Sequence, residues 1–573
     1  MGEVRLQGIG VSRGVGIGTA VVLKEEELKI EHILVEDEEK ERKRFEAAVS
    51  TLKQKNQELS EQLSESVGEK DGQIILAHNA VLEDPEIIEP ILKMIQEFRV
   101  NAEAAVEEVF NKAIQTMSSL EDDRMKERVS DLEDVKQGLL RLLLNIGEMD
   151  FSKINQNTIL VTKELSPHVS AMLDGDKIAG IITQRGGPTS HAAIISKAME
   201  IPAVVGVEDA VELIPEGEFV VMDGENGTVI LNPEEKTRKS FERRKKKVQA
   251  EKESLKEYIG LNSISKDGVL FEVQANAGSL QDTKRAMEQD AQGIGLYRTE
   301  FLFMNRDTIP SEEEQFTAYK EAVVCMEGRP LVIRTLDAGG DKPVEALGLK
   351  EESNPFLGYR AIRYCIQNPE VFTVQIRAIL RASAFGPIKI LIPFITCLEE
   401  FEETKKLIDE EMIRLIMQDI PFDARIPVGI MMETPSAVMM ADILAKYADF
   451  FSIGTNDLTQ YTMAVDRGNS KVSDLYSVYY PSVIRAMKRI IEEGDKNKIP
   501  VAMCGEAASD PYFIPVLMGM GLREFSVIPS EVLKVRGLIR KWTIPEAEAL
   551  CQEVMKQKRV EKVKELLEKA KKI

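Results

Sequence analysis

The 573-residue chain has few cysteines, no long apolar run and no excess of positive charge, and each shortage removes a class of function. Its five cysteines are odd in number and widely spaced, so they form neither a disulfide framework nor a C-x-x-C site. The longest apolar stretches, such as Ile388 to Leu398, are too short and interrupted to span a bilayer, which takes about 20 apolar residues. The opening MGEVRLQGIG contains no apolar signal core. Lys and Arg number 74 against 96 Asp and Glu, a net charge of −22. That balance argues against broad nucleic-acid binding, which needs cations to neutralise phosphates. With 43% hydrophobic and 30% charged residues, the chain can bury real cores. At roughly 100–200 residues per domain it should form about three or four domains. The expectation is a soluble, cytoplasmic, multidomain protein with no membrane insertion.

The order of patterns along the chain divides it. Residues 1–23 are glycine-rich and then β-branched, which predicts a strand, a loop and a second strand. Residues 24–148 turn to long, charged helical sequence. Phe45, Val49, Leu52, Leu59 and Leu63 recur at spacings of three, four and seven, one apolar helical stripe. Ile74 to Leu76, Ile87 and Ile88, and Ile91 to Ile95 suggest further helices punctuated by Pro85 and Pro90. Residues 149–232 return to α/β character, with strand-like TILVT, IAGIIT, PAVVG and FVVMD and a DGENG turn. The helical bundle of residues 24–148 is therefore expected as an insertion into one α/β domain built from 1–23 and 149–232. Residues 233–261 open with a segment dense in charge and nearly free of apolar residues, read as a solvated linking helix. Residues 262–573 contain eight short apolar runs alternating with helix-length segments, the pattern of a (β/α)8 barrel. They are VLFEVQANA, GIGLYRTE, LVIRTLD, IKILIPFIT, PVGIMMET, DFFSIGTND, PVAMCGE and EFSVI.

Polar residues gather where these runs end, at Asn276, Arg298, Arg334, Glu433, Asn456, Asp457 and Cys504. Barrel active sites sit at the C-terminal ends of the strands. Arg298 and Arg334 offer forked donors suited to phosphate or carboxylate. Either alone reads equally well as half of an Arg–Glu pair closing the barrel. Glu433 and Asp457, at consecutive strand ends, suit Mg²⁺ completed by substrate oxygens and water, or else a pair of buried acids. Asn456 and Arg467 share the loop with Asp457 and could hold substrate oxygens. The set describes a pocket for a small phosphorylated carboxylic acid with a divalent metal. Cys504 precedes Gly505 on the same rim, and a thiol protonated at neutral pH can donate a proton. Cys325, Cys365, Cys397 and Cys551 read as small core residues.

A second constellation is GGPTSHAAIISKAMEIPAVVG, Gly186 to Gly206. Two glycines lead through Thr189 and Ser190 to His191, predicted in the first turn of a helix. There the orphan N–H groups and the positive dipole end would stabilise a phosphoryl group on the imidazole. His32, His78 and His168 read as structural. Other matches fail on context. Gly10 to Gly14 fits G-x-S-x-G without plausible Asp and His partners. The glycines of Gly14 to Gly18 are misplaced for a dinucleotide fingerprint. Asp337 to Lys342 lacks P-loop spacing, and nothing supports ATP or NAD binding.

The stretch around His191, with GLYRTEFLFM, IRTLDAGGDK, GIMMETPSA, SIGTNDLTQY and MCGEAASDP, closely resembles enzyme I of the bacterial phosphoenolpyruvate:sugar phosphotransferase system, over essentially the whole chain. The resemblance implies phosphoryl transfer from phosphoenolpyruvate to His191 with release of pyruvate. Transfer to a histidine on a small phosphocarrier protein would follow. It implies that Arg298 and Arg334 hold the phosphate, and that Asn456, Asp457 and Arg467 contact further substrate oxygens. Glu433 and Asp457 would bind Mg²⁺, with Mn²⁺ as the alternative, and Cys504 would protonate the enolate carbon. Ser170 falls where some relatives have threonine and, with Thr189, would support His191. It further implies that the helical insert docks the phosphocarrier and that the barrel forms a homodimer. Since one histidine must meet both a small donor and a protein acceptor, a rigid-body swing about the linker is expected. A pyruvate phosphate dikinase or phosphoenolpyruvate synthase type of enzyme would need a further ATP-binding domain, and no segment looks like one. A silent carrier-binding paralogue should have lost some of His191, Cys504, Glu433 or Asp457, and all four are present.

Overall fold

The computed structural model describes the chain apart from residues 1, 24–29, 67–77, 119–122, 145, 147–153, 166–168, 170–172, 174, 176, 188–189, 200, 305, 307, 340–343, 350–351, 468, 470 and 571–573. It divides into two compact units, residues 1–252 and 253–573.

The first unit is built on an eight-stranded mixed sheet. Its strands are β1 (Val4–Gln7), β2 (Ile9–Ser12), β3 (Val15–Leu23), β4 (Thr158–Thr162), β5 (Ile178–Thr183), β6 (Ala203–Val205), β7 (Phe219–Asp223) and β8 (Thr228–Leu231). The order is β1-β8-β7-β3-β4-β5-β6-β2. β3 to β6 run parallel as the central core, while β7 pairs antiparallel with β3 and β8. The glycine-rich start thus makes three strands, not two, because β1 and β2 are split to opposite edges of the sheet. Glycine is required within β3: a Cβ on Gly18 would lie 1.8 Å from the Asn157 carbonyl oxygen.

Between β3 and β4 the chain leaves the sheet for the inserted bundle, helices α1 (Glu38–Ser66), α2 (Pro85–Glu97), α3 (Ala102–Ser118) and α4 (Asp123–Leu143). Phe45, Leu52, Ile91, Ile95, Val106, Phe110 and Leu139 form its core. The apolar period that marks α1 thereby becomes its buried stripe, although the Leu63 side chain and Ile74 to Leu76 lie outside the described residues. Asp84 caps α2 by accepting from the Glu86 N–H at 2.8 Å. Pro85 takes the first turn, where its missing N–H costs nothing. Pro90, expected as punctuation, lies inside α2 without ending it. Helix α5 (His191–Ala198) follows β5, and helix α6 (Glu235–Leu255) carries the chain out of the unit. α6 is mostly exposed, but it is not wholly solvated: Phe241 is buried with Val15, Val221 and Ile230. Beside it the Arg244 guanidinium meets the Asp223 carboxylate at 2.9 Å.

The second unit is a closed barrel of eight parallel strands. They are β9 (Glu272–Ala277), β10 (Ile294–Arg298), β11 (Leu331–Arg334), β12 (Ile388–Ile392), β13 (Val428–Met432), β14 (Phe451–Ile453), β15 (Val501–Met503) and β16 (Glu524–Val527), and β16 pairs with β9 to close the ring. All eight expected runs are strands. Leu296, Val332, Leu391, Met431, Phe450 and Cys504 form a cluster of their own, separate from the larger core formed with the surrounding helices. Among the described residues no helix is long and apolar enough to cross a membrane.

Candidate active site

The C-terminal ends of the barrel strands enclose a cavity of about 460 Å³. Its lining includes Arg298, Glu300, Arg334, Asp337, Glu433, Asn456, Asp457, Arg467, Tyr476, Cys504 and Glu506. Every barrel residue singled out for the site is therefore on one surface except Asn276. That side chain instead ties strand ends together, donating to the Cys504 carbonyl at 3.1 Å and accepting from the Ser526 hydroxyl at 2.7 Å.

The two arginines are register neighbours on β10 and β11 but differ in setting. Arg334 is 6% exposed, and its guanidinium pairs with Glu300 and with Asp337, the latter at 3.0 Å. Burial alone would favour discharge of Arg334, but these carboxylates outweigh it and hold the cation. Arg298 is exposed to the cavity, and no carboxylate among the described residues pairs with it. Arg334 is therefore held by two carboxylates, while Arg298 is a donor open to an anion.

Glu433 follows β13 and is 2% exposed, accepting from the Phe394 N–H at 2.7 Å. Burial, with Asp457 and Asp337 nearby, pushes its pKa up to about 8 against the pull of Arg334 and Arg360. Asp457 lies in the first turn of the helix Thr455–Met463. One of its oxygens receives Arg360 and the other Arg467, each at 3.2 Å. Asn456 packs against Glu506, accepting from its N–H at 3.3 Å. A Cβ on Gly505 would fall 1.9 Å from the Thr455 hydroxyl oxygen, so this glycine is what lets the Cys504 loop approach that helix. Cys504 itself is 4% exposed. Burial raises its thiol pKa, with a hydrogen bond from Ser452 acting the other way, so the sulfur holds its proton at neutral pH.

Three members of this ionic network escaped the reading of the sequence: Glu300, Asp337 and Arg360. Arg360 is 1% exposed and donates to Asp337 at 2.7 Å, to Asp457 at 3.2 Å and to the Tyr461 hydroxyl at 3.0 Å, with the Phe394 ring 4.7 Å from its guanidinium. It links the strand end carrying Arg334 to the helix carrying Asp457. Glu300 and Asp337 carried a signal, since each lies two or three residues past a rim arginine. Arg360 had none.

In the first unit, His191 is the first residue of α5, behind the N-cap Ser190, whose hydroxyl accepts from the Ala193 N–H at 3.4 Å. The predicted first-turn placement holds for the backbone. The His191 side chain, Thr189, Ser170 and His168 lie outside the described residues. The candidate positions thus fall in two places, one barrel-end cavity and one helix N-terminus.

A barrel whose strand ends present paired cations, paired carboxylates and a buried thiol belongs with enzymes that handle small phosphorylated acids. Comparison with known families makes the class specific. Residues 251–544 match the phosphoenolpyruvate-binding domain of phosphoenolpyruvate-utilising enzymes, residues 7–128 their N-terminal domain and residues 154–227 their mobile domain. The phosphoenolpyruvate-protein phosphotransferase of Bacillus subtilis is 41% identical over 558 residues, 97% of this chain and 98% of that one. That of Listeria innocua is 41% identical over 567 residues, 98% of this chain and 99% of that one. An NMR solution structure of an enzyme I protein is 31% identical, covering 43% of this chain and 99% of that one, with a TM-score of 0.38. The chain belongs to the phosphoenolpyruvate-protein phosphotransferase family, and it is an enzyme that transfers a phosphoryl group from phosphoenolpyruvate to protein.

Proposed function

We propose that the barrel cavity binds phosphoenolpyruvate, that His191 takes its phosphoryl group, and that a histidine on a small phosphocarrier protein receives it next. The observation that carries this reading is the cavity's division of labour: an open Arg298 beside a fixed Arg334, with Asn456, Asp457 and Arg467 on the opposite strand ends. Arg298 and Arg334 bind and orient the phosphate for in-line departure. Arg467 and Asn456 hold the carboxylate end of the substrate. Cys504 keeps its proton until the enolate forms and then delivers it to carbon, which draws the transfer towards pyruvate. His191, at the helix N-terminus, offers a nucleophile at the positive end of the helix dipole, which suits an anionic phosphoryl product.

Glu433 and Asp457 are the residues that would hold a divalent cation. Mg²⁺ commonly takes one or two carboxylates and completes its shell with substrate oxygens and water, which two such residues can supply. The fit is supported by placement: both carboxyl groups line the one cavity, Glu433 buried at the end of β13 and Asp457 in the first turn of the neighbouring helix. When bound, Mg²⁺ or Mn²⁺ would supply charge neutralisation at the phosphate and enolate oxygens. We assign carrier docking to the helical insert, residues 24–148, and homodimer formation to the barrel, residues 262–573. Sedimentation of the separated barrel tests the second assignment.

With labelled phosphoenolpyruvate and a histidine-containing phosphocarrier, label should pass to the carrier through the wild-type chain and not through His191→Gln. Transfer at wild-type rate by His191→Gln would remove His191 from the relay.

A further inference from the structure

Ser452 is the middle residue of β14, 1% exposed, and its hydroxyl donates to the Cys504 sulfur at 3.3 Å. That is the one hydrogen bond it makes among the described residues. A buried hydroxyl costs free energy unless it is bonded, and Cys504, packed with Leu296, Val332, Leu391, Met431 and Phe450 on one side, is the partner this one has. An alanine would satisfy packing here, so the hydroxyl is explained by its partner. The rest of Cys504 is already fixed: its N–H donates to the Ile453 carbonyl at 3.1 Å, and its own carbonyl accepts from Asn276 at 3.1 Å. Its thiol donates to the same Ile453 carbonyl, with sulfur and oxygen 3.7 Å apart, a long bond that is readily exchanged for one to a substrate in the cavity.

We propose that Ser452 is a positioning residue for proton delivery by Cys504, holding the sulfur in place and stabilising the thiolate left behind. The proposal rests on the reading of Cys504 as the proton donor. In the step, the S–H bond breaks and its electron pair stays on sulfur. The enolate's carbon–carbon π pair takes the proton at C3, and the oxygen pair closes the C2 carbonyl of pyruvate. Water then returns a proton to the thiolate. The charged groups facing that sulfur are Arg298 and Arg334, which favour the thiolate, and Glu433, which opposes it. Ser452 adds a neutral donor at hydrogen-bond distance, and its bond strengthens as charge appears on sulfur.

The test follows one turnover of the full chain with phosphoenolpyruvate and Mg²⁺, in H₂O and D₂O, recording phosphohistidine and pyruvate separately. In wild type the two should rise together. In Ser452→Ala, phosphohistidine should form at the wild-type rate while pyruvate lags by about 10- to 100-fold, the worth of one hydrogen bond to a charged acceptor. The solvent isotope effect on pyruvate should grow as well. Ser452→Thr, which keeps the hydroxyl, should restore the pace. Equal slowing of both products in Ser452→Ala, or no lag at all, overturns the proposal. Cys504→Ala separates the two failures. If it lags and Ser452→Ala does not, Cys504 stands as donor and Ser452 has no part. If neither lags, the assignment of Cys504 falls and takes this proposal with it.

Discussion

Replacing Arg360 by methionine tests whether the buried ionic network holds the site in place. Arg360 pairs with two buried carboxylates, Asp337 at 2.7 Å and Asp457 at 3.2 Å. Both side chains lie away from water, at 1% and 7% exposure. Removing one partner from a buried pair costs about 3–5 kcal/mol, because a charge is left uncompensated. Here each carboxylate keeps a second cation, Arg334 for Asp337 and Arg467 for Asp457. The lower end of that range, about 3 kcal/mol, is therefore expected. At about 2 °C per kcal/mol for a domain of this size, the barrel should melt roughly 6 °C lower. Trp542, the chain's single tryptophan, is buried in the barrel core, so its fluorescence reports this unit alone. Arg360→Lys should fall between, since an ammonium cannot span both carboxylates as a planar fork does. The KM for phosphoenolpyruvate should rise in both variants as Asp457 loses its orientation. A Trp542 midpoint within about 1 °C of wild type for Arg360→Met, a shift worth under about 0.5 kcal/mol, would refute the reasoning.

Further outcomes follow from single contacts. Glu433 has a folded-state pKa raised to about 8 by burial and by Asp457 and Asp337. Its contribution to stability is thus complete below the unfolded carboxyl value and lost as pH rises through the folded one. In metal-free buffer, Glu433→Gln should gain on wild type between about pH 5 and 8, by on the order of a few kcal/mol, read by urea unfolding at each pH. A pH-independent difference would contradict this. Gly505→Ala sets a Cβ 1.9 Å from the Thr455 hydroxyl. It should destabilise the barrel by about 1–3 kcal/mol and cut kcat, with wild-type kinetics as the contrary result. Asp223 accepts from the Glu225 N–H at 3.1 Å and the Asn226 side chain at 2.7 Å, and it pairs with Arg244. Asp223→Asn should cost about 1–3 kcal/mol and speed amide exchange along α6 near Arg244. Unchanged protection there would show that the pair does not fasten the helix.

The barrel was legible because each strand announces itself twice, as an apolar run and by the polar residue that ends it. Gly-Ile-Met-Met before Glu433 and Phe-Ser-Ile-Gly before Asn456 are read correctly without any three-dimensional information. The two residues that bind the network together were not. Asp337 stands in a glycine-rich stretch that resembles a failed phosphate loop, and its place three residues past Arg334 is a signal too weak to single it out. Arg360 lies in a connecting segment of no periodic character, so nothing local says that its guanidinium crosses to Asp457. Ser452 is a lone hydroxyl inside a strand, and only the pairing of β14 with β15 brings it to Cys504. Likewise Phe241 and Arg244 look like two more positions on a charged helix until the sheet supplies Asp223 and an apolar surface. Periodicity reports which face is buried; ion pairs between distant segments are set by topology, which a single sequence does not display.

The central claim, that His191 carries the phosphoryl group drawn from the barrel cavity, is tested most directly by one turnover with phosphorus-labelled phosphoenolpyruvate and Mg²⁺ in the absence of any nucleotide. Wild type should gain acid-labile, base-stable label in equal amount to the pyruvate released, and His191→Gln should gain none. Pyruvate released without label on the wild-type protein, or label on His191→Gln, would contradict it.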